Sequence, residues 1–262
     1  MPNSIPTSLK SLLKQADYSA PDGKFIVPFG LTEENKILAK DMAEIPHILI
    51  GGTTGCGKTT FIQTLLCALI SQYGPTKFKL MIYDSKTIDY ISFNGLPHLL
   101  IPIVTDYRKA AGALNWACAE ARRRLQAIKD GECLENIPHI FFVMDDFSDL
   151  SKDEYAIEAL YHLLKIGRAT KIHCIISTGL PLAKIIPTEL KILIPCRIAF
   201  STVTKQASRV ILDVNGAESL NSPGEMILKL HSELIKCKCA YASEDEIETF
   251  VDLAFDIAEF DR

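Results

Sequence analysis

No stretch of this chain reaches the roughly 18 uncharged apolar residues that a membrane-spanning helix needs. The N-terminus lacks the basic-then-apolar order of an export signal, so nothing in it directs secretion. The 8 cysteines show no paired metal-ligand spacing, and Cys237 and Cys239 are too close for the usual zinc clip. Positive charge is not in excess: 28 basic residues face 32 acidic ones, a net charge of −4, which excludes a general electrostatic attraction to nucleic acid. Any such contact has to come from a local basic surface, multiplied by assembly. Internal repeats and low-complexity tracts are missing too. These absences point to a reduced, cytoplasmic protein, most of whose cysteines act as small core residues. With 48% hydrophobic residues among 262, the chain can bury a full core. The expected organisation is a short leader or arm over residues 1–23, carrying an amphipathic segment from Ser8 to Ala16, then one α/β domain over 24–262.

What is present is more specific. Gly52-Thr53-Thr54-Gly55-Cys56-Gly57-Lys58-Thr59 fits the phosphate-loop pattern G-x-x-x-x-G-K-[ST], and Thr60 follows it. His47 to Gly51 reads as a buried strand before it, and Phe61 to Ile70 as a helix after it. Glycines let backbone N–H groups close around a polyphosphate, and the helix N-terminus adds partial positive charge. Lys58 is placed for the β- and γ-phosphates, and the Thr59 hydroxyl for Mg²⁺. The pattern predicts binding of a nucleoside triphosphate, with ATP and Mg²⁺ as cofactors.

Apolar runs at 25–29, 36–38, 47–51, 78–83, 99–104, 139–144, 172–177 and 196–200 alternate with helical stretches at 58–73, 107–129, 153–168 and 205–213. A last helix is expected from Glu244 to Phe260. That alternation predicts an α/β fold with a mostly parallel sheet and helices on both faces. One strand, Ile140 to Met144, ends in Asp145-Asp146. In phosphate-loop NTPases such a strand end carries the metal-coordinating Asp and often a second acid that orients water, which assigns Asp145 to the metal and Asp146 to the water. Cys174 to Gly179 is a further apolar strand with a small polar end. Placed between the other two, it would bring Thr178 near the γ-phosphate; otherwise Thr178 simply begins a loop.

With these strands in place, the chain resembles the motor domain of FtsK/SpoIIIE-type DNA translocases over about residues 25 to 255. Pro46 to Gly55 is similar to the family's P-H-L-L-I-A-G-A-T-G segment, and Asn94 to Leu100 with Val104-Thr105-Asp106 to its N-G-I-P-H-L-L and V-T-D. Ala110 to Leu125 resembles the helix that follows. Gly167-Arg168-Ala169 with Ile172-His173 resembles its G-R-A-x-G-I-H stretch. Pro195 to Phe200, Ser208-Arg209, Ile211-Leu212-Asp213 and Gly216-Ala217-Glu218 resemble its closing block. The resemblance implies a RecA-like P-loop core in a homo-oligomeric ring, usually hexameric, around double-stranded DNA, driven by ATP. It also implies an arginine supplied by a neighbouring subunit, for which Arg168 is the first candidate; the alternative for Arg168 is a helix-end arginine on its own carbonyls. Arg197 and Arg209 also match the family, and a structural ion pair explains either equally. Arg122-Arg123-Arg124, with Lys184, Lys191 and Lys205, offers basic groups for DNA phosphates or a solvated face.

Three departures separate this chain from the family pattern. Asp145-Asp146 stands where the family usually has Asp-Glu, Thr178-Gly179-Leu180-Pro181 stands where it usually has T-Q-R-P, and the DNA-reading winged-helix domain that follows the motor in many members is not expected within these residues. The first expectation is therefore an ATP-driven DNA translocase motor, serving segregation or conjugative transfer. The alternatives are a protein-secretion ATPase of the same type, or a nucleotide-binding regulatory subunit that hydrolyses poorly.

Overall fold

The computed structural model describes residues 7–15, 23–221 and 223–261. Strands are β1 Thr7–Ser8, β2 Ile26–Thr32, β3 Ile37–Asp41, β4 His47–Gly51, β5 Phe78–Asp84, β6 His139–Asp145, β7 Ile172–Thr178, β8 Cys196–Phe200, β9 Glu225–Leu230 and β10 Glu233–Tyr241. Helices are α1 Leu9–Gln15, α2 Lys58–Ile70, α3 Tyr107–Lys129, α4 Glu154–Ile166, α5 Thr188–Leu193, α6 Lys205–Leu212 and α7 Glu244–Phe260. None of the described helices is long and apolar enough to cross a membrane.

The sheet runs in the order β3-β2-β10-β9-β8-β4-β7-β6-β5, with β1 added beside β10. Its two halves differ. From β8 to β5 every pairing is parallel, as strands joined by crossover helices require. From β8 through β9, β10 and β2 to β3 every pairing is antiparallel. The expected mostly parallel sheet is thus a parallel half extended by an antiparallel one. β4, β6 and β7 are buried along their whole length, which is why they read as continuous apolar runs rather than alternating ones.

Each face has its own core. Ile48 and Ile50 of β4 pack with α2 and α7 residues such as Phe61, Leu65 and Ala254. Leu49, pointing to the other face as the pleat dictates, packs with Leu114 of α3 and Leu160 of α4. The expected strand at 99–104 forms only bridges, Leu80 with Leu99 and Tyr83 with Val104. Pro102 interrupts it, having no N–H to give to a ladder. Within the segment expected as a leader, α1 buries Leu9 and Leu12 completely, and Leu9 belongs to the α2-side core. Its amphipathic spacing is therefore used for docking. The rest of the expected amphipathic segment, residue 16, lies outside the described residues.

Candidate active site

The carboxyl ends of β4, β6 and β7 lie side by side, because β7 is hydrogen-bonded to β4 on one edge and to β6 on the other. That order places the loop after β4 opposite the acids that end β6. Gly52 has φ 153°, and a side chain there would lie 2.9 Å from both Cys56 Sγ and Phe200 Cβ. Gly57 caps α2 in the left-handed region at φ 109°, which costs glycine nothing and other residues a good deal. The loop is tied from outside as well. Thr53 N–H donates to Ser201 O at 2.9 Å, Gly224 N–H donates to Cys56 O at 3.1 Å, and Cys239 N–H donates to Gly224 O at 2.8 Å.

Lys58 is buried, and its ammonium donates to Gly52 O at 2.9 Å and Thr53 O at 2.8 Å. Beside it, burial raises the Cys56 thiol above its ordinary range, against the pull of Lys58. Asp145, 4% exposed, accepts three hydroxyls. Thr59 Oγ1 donates to Oδ2 at 2.9 Å, Tyr90 Oη to the same oxygen at 3.0 Å, and Ser177 Oγ to Oδ1. Burial, then the neighbouring Asp145 charge, pushes the Tyr90 phenol well above its ordinary range, so it stays a donor.

Asp146 sits at φ 54°, a left-handed conformation that Asp tolerates better than most residues. Its N–H donates to Ser177 Oγ at 2.9 Å. Oδ1 accepts from Ser148 N–H at 3.3 Å and Ser148 Oγ at 2.5 Å. These residues open on one cavity of about 720 Å³, within the range of small-molecule sites. Thr54, Gly55, Thr59, Thr60, Asp145 and Asp146 line its phosphate-loop side. Lys86 and Ile88 line it from the loop after β5, Gly224 and Tyr241 from the antiparallel half, and Glu248 from α7.

The remaining candidates divide. Thr178 is fully buried and is not among the cavity-lining residues; its hydroxyl meets Ser148 Oγ at 3.1 Å and accepts from Leu180 N–H at 3.0 Å. Gly179 does line the cavity, and a Cβ there would lie 3.5 Å from Asp146 Oδ2 and 3.7 Å from Thr54 Oγ1. Arg168 is exposed and precedes β7, whose length separates it by about 20 Å from the phosphate-loop end of the sheet. Within one chain it does not reach the cavity. Arg197 is held by Asp213 Oδ2 at 2.6 Å, which Lys229 also reaches, while Lys191 pairs with Asp213 Oδ1. Burial pushes the Asp213 carboxyl up, but the three cations outweigh it and hold it below the usual range. Arg209 donates to Asn215 Oδ1 at 2.8 Å.

The expected basic cluster on α3 also comes apart. Arg124 is buried and donates to Glu120, Pro138 O and Thr170 O, and Arg123 pairs with Glu120. Arg122 alone of the three is exposed without such a partner among the described residues. Sequence reasoning missed Tyr90, Ser148 and Gly224. Pro223-Gly224 is a visible turn signal, but nothing local tells which loop it grips.

Comparison with known proteins gives the same placement. The FtsK/SpoIIIE family model matches residues 8–136. The DNA translocase FtsK of Caldanaerobacter subterraneus subsp. tengcongensis is 33% identical over 261 residues, covering 94% of this chain and 37% of that protein. Among solved structures, the cytoplasmic domain of the Thermomonospora curvata type VII secretion ATPase EccC superposes with a TM-score of 0.82 at 24% identity. It covers 96% of this chain and 34% of that one. The pCW3 conjugation coupling protein TcpA, solved with ATPγS, gives 0.78 at 20% identity over 92% of this chain and 73% of that one. The chain spans about a third of the length of the curated relatives it matches. Its α/β architecture is that of P-loop ATPase domains.

Proposed function

The chain belongs to the FtsK/SpoIIIE family, and on that premise we propose that residues 24–262 form the motor of an ATP-driven DNA translocase. In this reading it works as a homo-oligomeric ring, hexameric, on double-stranded DNA. The observation that carries the reading is the convergence of Lys58, Thr59, Asp145 and Asp146 on one cavity at the ends of β4 and β6, which flank β7.

Each residue then has a role that its surroundings support. Within the loop from Gly52 to Thr60, the N–H groups of Gly57 to Thr60 at the start of α2 cradle the phosphates. Lys58 exchanges the carbonyls of Gly52 and Thr53 for the β- and γ-phosphate oxygens, which are charged and therefore stronger acceptors. Thr59 Oγ1 and Asp145 are hard oxygen donors 2.9 Å apart, a pair that suits Mg²⁺. When bound, Mg²⁺ neutralises charge on the phosphates. Asp146 Oδ2, which makes no hydrogen bond among the described residues, aligns the attacking water. Arg168 serves the cavity of a neighbouring subunit, since its own lies at the other end of β7. DNA is held through exposed cations such as Arg122, Lys184 and Lys205 repeated around the ring.

Gly179 favours a second reading, a nucleotide-gated subunit that turns over slowly, because no side chain there contacts the water. One assay separates the two: steady-state ATP turnover with Mg²⁺, with and without long duplex DNA, beside Lys58→Ala. A translocase motor turns over faster with duplex and loses all turnover in the variant. Nucleotide binding without turnover in either condition sinks the motor reading.

A further inference from the structure

Ser177 and Thr178 are consecutive on β7, so their side chains leave opposite faces of the strand, and each is linked to a different carboxylate at the end of β6. Ser177 bonds Asp145 directly. Thr178 reaches Asp146 only through Ser148, and the direction of that chain can be worked out atom by atom. Leu180 N–H donates to Thr178 Oγ1 at 3.0 Å. Ser148 Oγ has a single hydrogen, and at 2.5 Å it goes to the carboxylate Oδ1 of Asp146, an acceptor only. In the 3.1 Å contact between the two hydroxyls, Thr178 is therefore the donor. The order is Leu180 N–H, Thr178 O–H, Ser148 O–H, Asp146 carboxylate. Donors aligned in one direction strengthen one another.

This chain engages Oδ1 and leaves Oδ2 toward the cavity, 3.5 Å from where a Gly179 Cβ would lie. Its first donor belongs to an exposed loop: Leu180 and Leu182 are 53% and 46% exposed. We propose that Ser148 and Thr178 are positioning residues for Asp146, and that they make its orientation depend on the loop at 179–182. The short acid is held by one hydroxyl, which a second hydroxyl orients, and movement of Leu180 is transmitted to it across three hydrogen bonds. The role rests on the reading of Asp146 as the acid that aligns water.

The test compares Ser148→Ala with Ser148→Thr, and Thr178→Val with Thr178→Ser, in the full chain. Loss of either hydroxyl lowers kcat, by about tenfold for Ser148→Ala and about threefold for Thr178→Val. KM for ATP stays within about twofold, and the hydroxyl-bearing variants recover most of the rate. A kcat for Ser148→Ala equal to that of the parent, or a Ser148→Thr variant as impaired as the alanine, overturns the proposal. Amide hydrogen exchange at Leu180 in the nucleotide-free protein gives a readout independent of turnover. It becomes several-fold faster in Thr178→Val and Ser148→Ala, and unchanged exchange in both overturns the relay. If the parent shows no turnover, the motor reading fails while the exchange measurement still decides the relay.

Discussion

The three central strands carry polar side chains at both ends, and the two ends use them oppositely. β4 begins at His47, β6 begins at His139, and β7 has His173 in its second position. At that end each ring is hydrogen-bonded within the protein. Cys174 N–H donates to His47 Nδ1, so Nε2 carries the hydrogen that goes to Leu164 O. His173 donates from Nδ1 to Ile45 O, which leaves its Nε2 to accept from His139 Nδ1 at 2.9 Å. Phe141 stacks on His173, and Phe25 meets His139 edge-on. At the other end the groups are Lys58, Asp145 and Asp146, and they face an open cavity. Strands of one sheet thus finish in a buried knot on one side and, on the other, beside charged groups that line a cavity and whose internal bonds a ligand can replace. Buried polarity gives specificity to the fold where it is consumed, and function where it is left for a ligand.

Substitutions that sort by end would sharpen this contrast, and any crossover would break it. The largest effect belongs to the cavity end. Asp145→Asn lowers ATP turnover by about 1,000-fold, yet shifts the melting midpoint by no more than about 4 °C. Calorimetry and a coupled assay measure both. His173→Ala should do the reverse: it strands the acceptor Ile45 O and the donor on His139, and it destabilises by about 3 kcal/mol. ATP affinity then stays within about twofold. A large loss of affinity in that variant would show the ends to be coupled.

A third expectation concerns acid. Burial holds His47 and His139 down to about 3 and His173 to about 4, from 6.5 in the unfolded chain. Above pH 6.5 both states are neutral and the knot contributes fully. As pH falls, the unfolded chain takes up protons first, so stability declines from about 6.5 down through 4 to 3, where the folded rings protonate. Protonated His173 would aim a second N–H at its partner's donor. His47→Gln keeps one acceptor and one donor without titrating. It makes the decline shallower by about one proton, or about 1.4 kcal/mol per pH unit, in urea unfolding measured across that window. The smallest effect is a gain. Gly179→Gln places an amide between Asp146 and Thr54, in space where the nearest atoms are 3.5 and 3.7 Å from the new Cβ. It raises turnover about three- to tenfold at unchanged KM, and no change would leave Asp146 sufficient alone.

How much of this was readable follows the same division. The parallel half announces itself, because strands covered on both faces are apolar throughout and end at residues that line the cavity. Asp145, Lys58 and the glycines were legible for that reason. The antiparallel hairpin of β9 and β10 was not. Its outer strand, ELIKCKCAY, exposes or half-exposes Glu233 to Lys236 and buries chiefly Cys237, Cys239 and Ala240. With lysines between small residues, it lacks the apolar run that marks a strand. Tyr90 was hidden for another reason: its role arises from Asp84, whose carboxylate gathers the N–H groups of Lys86, Asp89 and Tyr90. Local pattern reports periodicity, and a loop wrapped on a buried carboxylate has none.

The bridge through Gly224, between Cys56 of the phosphate loop and Cys239 of β10, bears on the order in which the protein can be finished during synthesis. Translation delivers the phosphate loop first, then both acids, and the strand that pins the loop only after them. A nascent chain released at residue 220 would hold the complete phosphate motif, the two acids and the family's matched segment. It would lack the Gly224 strut and the tyrosine and glutamate that wall the far side of the cavity. The walls of the cavity therefore come from both halves of the sheet, and they are complete only once the residues from Gly224 to Glu248 have been added.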